Sequence, residues 1–89
     1  MTTIYKYPLN MLDEQTIIIP ENHKILCVHM QGQTPCMWAM VDPNKTNISL
    51  KILVYGTGTP IVDPEMLSYI SSIQIGFFVW HIFTKEEKR

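Results

Sequence analysis

The chain has 89 residues, 46% apolar and 17% charged, with seven Lys and Arg against eight Asp and Glu and a formal net charge of −1. That is the composition of a single small globular domain and it excludes a disordered chain. Three of the seven basic residues gather in Lys85–Arg89, so no basic stripe is left to track the phosphates of duplex DNA.

Ile4 to Leu9 reads as a first strand, and Pro8, which cannot donate to a ladder, confines it to an edge or terminal position. Thr16-Ile17-Ile18-Ile19-Pro20 is a β-branched run too short for a helix, closed by the turn sequence Pro20-Glu21-Asn22. From Lys24 the alternation predicts a strand with Leu26, Val28 and Met30 on one face and Ile25, Cys27, His29 and Gln31 on the other. Gly32-Gln33-Thr34-Pro35 supplies a turn, after which Met37, Ala39 and Val41 oppose Cys36, Trp38 and Met40.

Asp42-Pro43-Asn44 is turn sequence and leads into the cleanest amphipathic strand, where Ile48, Leu50, Ile52 and Val54 alternate with Ser49, Lys51, Leu53 and Tyr55. Asp63 to Leu67 fits one helical turn, with Asp63 as cap and Pro64 at the first helical position. Ile70 to Ile75 and Phe77 to Phe83 form two last strands that meet near Gly76 through a kink or bulge, the final one apolar on both faces. The pattern predicts an all-β domain over 1–84, a compact antiparallel sandwich or partly open small barrel of six to seven strands, with a charged tail over 85–89 that frays into solvent.

No residue combination identifies a reaction. Cys27 and Cys36 flank a hairpin turn, too few for a disulfide framework, and are expected reduced; their apolar strands also disfavour a nucleophilic thiolate. Asp13, Glu14, Glu21, Asp42, Asp63 and Glu65 all fall in turn-like segments, where they act as solvated charges rather than as an acid–base pair. The histidines and cysteines match no zinc spacing, so neither metal nor cofactor is expected. With no secretory leader pattern and no apolar run near ~20 residues, the reading is a cytoplasmic protein that avoids membranes.

The most informative stretch is Tyr55-Gly56-Thr57-Gly58-Thr59-Pro60. It lacks the Lys-Ser/Thr ending of a phosphate loop, and Ile61 stands where a dinucleotide fingerprint has its third glycine. Two readings stand: the glycines serve a tight turn, or the loop offers backbone N–H groups and hydroxyls to a ligand. Trp38, Tyr5, Tyr7, Tyr55 and Trp80 either fill the core or stack on a base at about 1–3 kcal/mol each. A tryptophan sharing one pocket with Lys6, Gln31, Thr57 or His81 would make a small-nucleotide site.

Ile4-Tyr5-Lys6-Tyr7, Cys36-Met37-Trp38-Ala39-Met40-Val41-Asp42-Pro43, Tyr55-Gly56-Thr57-Gly58 and Val79-Trp80-His81-Ile82-Phe83 stand in an order that resembles a small protein family of tailed phages, formerly of unknown function. The resemblance runs from Ile4 to Phe83, and that family is similar to the phage anti-CBASS sponge proteins. It implies immune evasion in the cytoplasm of the infected host: a homo-oligomer, dimer or tetramer, that sequesters a cyclic oligonucleotide alarm signal near a subunit interface without cleaving it. Carried onto this chain, it implies that Gly56, Thr57, Gly58 and Thr59 meet phosphate, Lys6 supplies charge, Trp38 or Tyr55 stacks, and Gln31 or His81 reads base edges. Thr59 stands where the family pattern has a histidine, which bears on ligand preference.

Self-association also suits the size, since a chain this short buries only roughly 60–65% of its unfolded surface. Two rivals belong to other classes: a protein–protein module that caps or inhibits a host protein, and an enzyme that cleaves the signal.

Overall fold

The computed structural model describes residues 1–86. Seven strands follow in chain order: β1 (Thr3–Pro8), β2 (Glu14–Pro20), β3 (Lys24–Gln31), β4 (Thr34–Val41), β5 (Asn47–Gly56), β6 (Ser68–Ile75) and β7 (Phe78–Glu86). They make two antiparallel sheets, one ordered β1-β4-β3 and the other β2-β5-β7-β6. The sheets stay open and pack face to face, so of the two expected architectures the sandwich is the one formed. Its principal extents are 40 × 32 × 16 Å, the short dimension being two layers.

Strand alternation decides what lies between the layers. In β5, Leu50, Ile52 and Val54 turn inward while Lys51, Leu53 and Tyr55 turn outward, as the period-two pattern predicts. Met37, Ala39 and Val41 of β4 meet them from the smaller sheet, and Ile19, Ile73 and Ile82 complete the layer at 5% exposure or less. Each fully buried aliphatic side chain stabilises the fold by about 1.5–3 kcal/mol before ordering costs. Pro8 closes β1, which is an edge strand as its proline demands.

Local expectations change at four places, three of them outside the hairpin turns. A register shift between Ile25 and Cys27 breaks the β3 alternation: Ile25 packs on the core with Val28 and Met30, while Leu26 is turned out, 42% exposed. The extra bulged residue exchanges the faces on one side of it, which a strict period of two cannot anticipate. The helical turn is a 3-10 turn, Pro64–Met66, and Asp63 makes no side-chain cap bond. The strand β7 continues to Glu86, pairing Lys85 with Lys51 and Glu86 with Leu50, so the first two residues of the expected tail belong to the sheet. The rest of that tail, residues 87–89, lies outside the described residues.

Tight turns join the hairpins. Ile75 pairs with Phe78, leaving Gly76 and Phe77 as a two-residue turn, and Gly76 has φ +61 while Phe77 does not, the requirement of a type II′ turn. The expected kink near Gly76 is therefore a complete hairpin reversal. Between β1 and β2 the chain is clamped by Gln15, which donates to the Asn10 carbonyl and accepts from the Asn10 N–H. At the other side of the sandwich the Ser71 hydroxyl donates to the Val28 carbonyl at 3.0 Å, joining the β6 and β3 edges.

The β4–β5 turn yields a pH prediction. The Asn44 N–H donates to Asp42 Oδ1 at 3.0 Å, and this bond foremost holds the Asp42 carboxyl below its ordinary value. A carboxyl depressed in the folded state adds stability above its unfolded pKa and loses it as pH falls through the folded value. Asp42→Asn is thus expected to melt below wild type at pH 7, with the difference closing on acidification below about pH 4. Melting curves at both pH values check this; a gap that persists in acid would assign the effect to something other than charge.

Candidate functional site

The Gly56–Thr59 stretch forms first from turn chemistry. Thr59 N–H donates to the Gly56 carbonyl at 3.1 Å, and Gly58, at the third turn position, has φ +89. That is a type II turn, which requires glycine there. The Thr59 N–H, expected to be offered to phosphate, is used to close this turn. Gly56 serves packing: a Cβ there would stand 3.2 Å from Trp80 Cζ3. Gly56→Ala is expected to displace the Trp80 ring by a few tenths of an ångström and cost about 1 kcal/mol. A lowered melting temperature with a shifted indole emission would show it, and an unchanged melting temperature would contradict it.

The Thr57 side chain is held by the larger sheet through its contact with His81. Tyr55 pairs with His81 across β5 and β7, and Tyr69 of β6 pairs with Phe83. His81 Nε2 lies 2.9 Å from Thr57 Oγ1, and its Nδ1 lies 3.3 Å from the Tyr69 hydroxyl. A neutral imidazole has one N–H and one lone pair, so it accepts from one hydroxyl and donates to the other. Phe83 sits between two tyrosines, edge to face with Tyr69 at 5.2 Å and with Tyr55 at 5.8 Å. His81, expected to read base edges, therefore acts as the anchor of Thr57.

Beside this loop the β6–β7 hairpin raises a wall. Gly56, Thr57 and Thr59 face Phe77, Phe78 and Trp80 across a cleft of about 360 Å³. Phe78 and Trp80 rings are 6.1 Å apart and tilted by 33°, and Phe77 is fully exposed. A second, more apolar groove of about 290 Å³, also bounded by Trp80, is lined by Met11, Leu12, Asp13, Val54 and Ile75. The described residues leave no buried side-chain nitrogen or oxygen without a partner, so the polar groups available to a ligand lie on the faces and at this end.

Lys6, Gln31 and Trp38 are elsewhere. Trp38 shares the outward parity of Cys36 and Met40, paired with Lys6 on one side and Cys27 on the other, on the outer face of the three-stranded sheet. Lys6 Nζ donates to Gln31 Oε1 at 2.8 Å on that same face, and His29, paired with Cys36, joins it. The core separates this group from Thr57 and His81, so one copy cannot assemble the expected residues into one pocket. Gly56, Thr57, Gly58, Thr59, Tyr55 and His81 do cluster. Both cysteines are free thiols.

Phe77, Phe78, Tyr69 and Phe83 are the residues the sequence reading missed. Phe83 was legible, since it lies two residues beyond His81 and shares its face. The hairpin phenylalanines were not, because an apolar pair in an apolar strand reads as core. Among the described residues no group of three or more His, Cys, Asp or Glu comes together, and no helix is long and apolar enough to cross a membrane.

The fold and this end cleft define a small two-sheet antiparallel β-sandwich with an aromatic-walled cleft beside its glycine turn. The chain belongs to the family described as a domain of unknown function (DUF7352), which matches residues 1–89. No curated protein and no solved structure matches it significantly.

Proposed function

We propose that the protein binds a cyclic oligonucleotide, such as a cyclic dinucleotide, in the cleft between the Gly56–Thr59 turn and the Phe77–Trp80 hairpin, and sequesters it uncleaved. The observation that carries the reading is that cleft: exposed aromatic rings on one wall, threonine hydroxyls and turn backbone on the other. Phe78 and Trp80 offer ring faces to a base at about 1–3 kcal/mol per stacked base. Thr57, steadied by His81, offers a hydroxyl to phosphate. The phage resemblance supports the same reading and gives it a setting, evasion of cyclic-nucleotide defence in the host cytoplasm.

Sequestration needs affinity rather than a nucleophile, acid or metal. Nanomolar capture is about −12 kcal/mol, more than one shallow cleft supplies from two stacked bases. A near two-fold ligand shared by two copies would meet two clefts, which makes a homo-oligomer part of the proposal.

The test is thermal unfolding of the full chain against a panel of cyclic di- and trinucleotides, followed by chromatography of the released ligand. At a hundredfold excess over Kd a native-state ligand adds about 2.7 kcal/mol, a rise of about 10 °C or more for a domain of this size. That shift with the ligand recovered intact supports the sponge. Turnover would make the protein an enzyme, and no shift with any compound would move the function to a protein partner.

A further inference from the structure

We infer that Asp13 is the residue that reads a base at this end and that the base it selects is guanine, seated against Trp80 in the groove lined by Met11, Leu12, Val54 and Ile75. The inference rests on the cyclic-nucleotide reading and narrows it to guanine-containing ligands. The groove encloses about 290 Å³. Small-molecule sites begin at about 300 Å³, so it is sized for one base rather than for a whole dinucleotide. Its walls are a flat indole and aliphatic side chains, of which Leu12 is 52% and Met11 41% exposed. Such walls take a ring and not a phosphate.

The groove adjoins the cleft. A hollow of about 240 Å³ shares Gly56, Thr59 and Trp80 with the cleft, and Asp13, Val54 and Trp80 with the groove. A ligand whose phosphates lie along the Gly56–Thr59 turn therefore has a path beside Trp80 for one of its bases.

Charge decides which base. Among the described residues no Lys or Arg lines the cleft, the hollow or the groove, and the charged residues there are Asp13 and Glu14. Glu14 is engaged by Lys51 at 3.4 Å, whereas the Asp13 carboxylate has no hydrogen bond or ion pair among the described residues. The Asp13 backbone is fixed, because its carbonyl accepts from the N–H of Val54, itself part of the groove lining, at 3.0 Å.

An ionised carboxylate only accepts, through two oxygens side by side. Guanine meets it with two donors side by side, N1–H and the 2-amino group, and the pair is bidentate. Adenine and cytosine present one amino donor next to a ring-nitrogen lone pair, and uracil sets its single N–H between two carbonyls. Each of these would turn a lone pair on the carboxylate, which adds repulsion to the lost bond. A bidentate pair discriminates between bases by about 5- to 150-fold.

The test is titration calorimetry of the full chain with cyclic di-GMP, cyclic di-AMP and the inosine analogue cyclic di-IMP, for wild type and Asp13→Asn. Wild type is expected to bind cyclic di-GMP about 5- to 150-fold more tightly than cyclic di-AMP. Cyclic di-IMP, which lacks the 2-amino group, should bind more weakly than cyclic di-GMP. Asp13→Asn keeps the backbone bond and the side-chain shape, so it should lose the guanine preference while its affinity for cyclic di-AMP is undiminished. Circular dichroism would establish that the variant is folded.

Equal affinity for cyclic di-GMP and cyclic di-AMP, or for cyclic di-GMP and cyclic di-IMP, overturns the inference and leaves the cyclic-nucleotide reading standing. So does an Asp13→Asn variant that keeps the guanine preference or loses both ligands alike. Binding of none of the three also overturns it; a thermal shift with a cyclic trinucleotide would then keep the reading, and no shift across the whole panel would remove both.

Discussion

Ile52→Ala is expected to remove about 3 kcal/mol of folding stability and to lower the melting temperature by about 12–24 °C. Ile52 is 0% exposed at the middle of β5, the strand flanked by β2 and β7, and its side chain lies in the central core layer. Truncation loses the transfer free energy of the removed carbons and leaves a cavity that neighbours on both sheets cannot fill. A chain of this length has about 4–13 kcal/mol in total, so one substitution consumes a large part of it. Ile18→Ala is the control. Ile18 is also in a strand, but it faces outward at 58% exposure, and its truncation should change stability by about 0.5 kcal/mol or less. Urea unfolding of both variants measures the contrast. Equal losses would mean that β2 is slipped by one residue, since that exchanges its inward and outward sets.

Phe78→Ala is expected to weaken cyclic-nucleotide binding by about 5- to 150-fold, the equivalent of 1–3 kcal/mol for one lost stacking surface. Trp38→Ala is expected to leave that affinity within about twofold, because Trp38 lies across the core on the outer face of the other sheet. The comparison is informative because a sequence reading nominates Trp38 and overlooks Phe78. At 67% exposure Phe78 can be truncated with little damage to the fold. Titration calorimetry with the ligand that gives the largest thermal shift would decide it. Loss at Trp38 with retention at Phe78 would move the site to the face that carries Lys6 and Gln31.

The candidate site was legible in part. Gly56, Thr57 and Gly58 stand out because two glycines after an amphipathic strand announce a turn, and Gly58 at φ +89 fulfils it. Their partners were not legible. That Thr57 reaches His81 depends on β5 pairing with β7, which are separated in sequence by the 3-10 turn and β6. Trp80 and His81 are neighbours in the chain but face opposite ways, one bounding the end grooves and the other the outer sheet face. Alternation predicts that opposition without saying which side is core.

Local chemistry by itself determined the all-β class, the inward set of β5, the opposition of the two faces of β4, the edge position of β1 and the places where the chain turns. Those features follow from a period of two, from proline's missing N–H and from glycine's access to positive φ, all properties of a few neighbouring residues. Only the tertiary structure decided that β1 joins β4 and β2 joins β5, that a bulge at Leu26 exchanges the faces of β3, and that Phe78 is uncovered. Which strands pair, and where one sheet ends over another, is settled by packing between residues far apart in sequence. That packing puts Lys6, Gln31 and Trp38 on one outer face and Thr57 and His81 on the other.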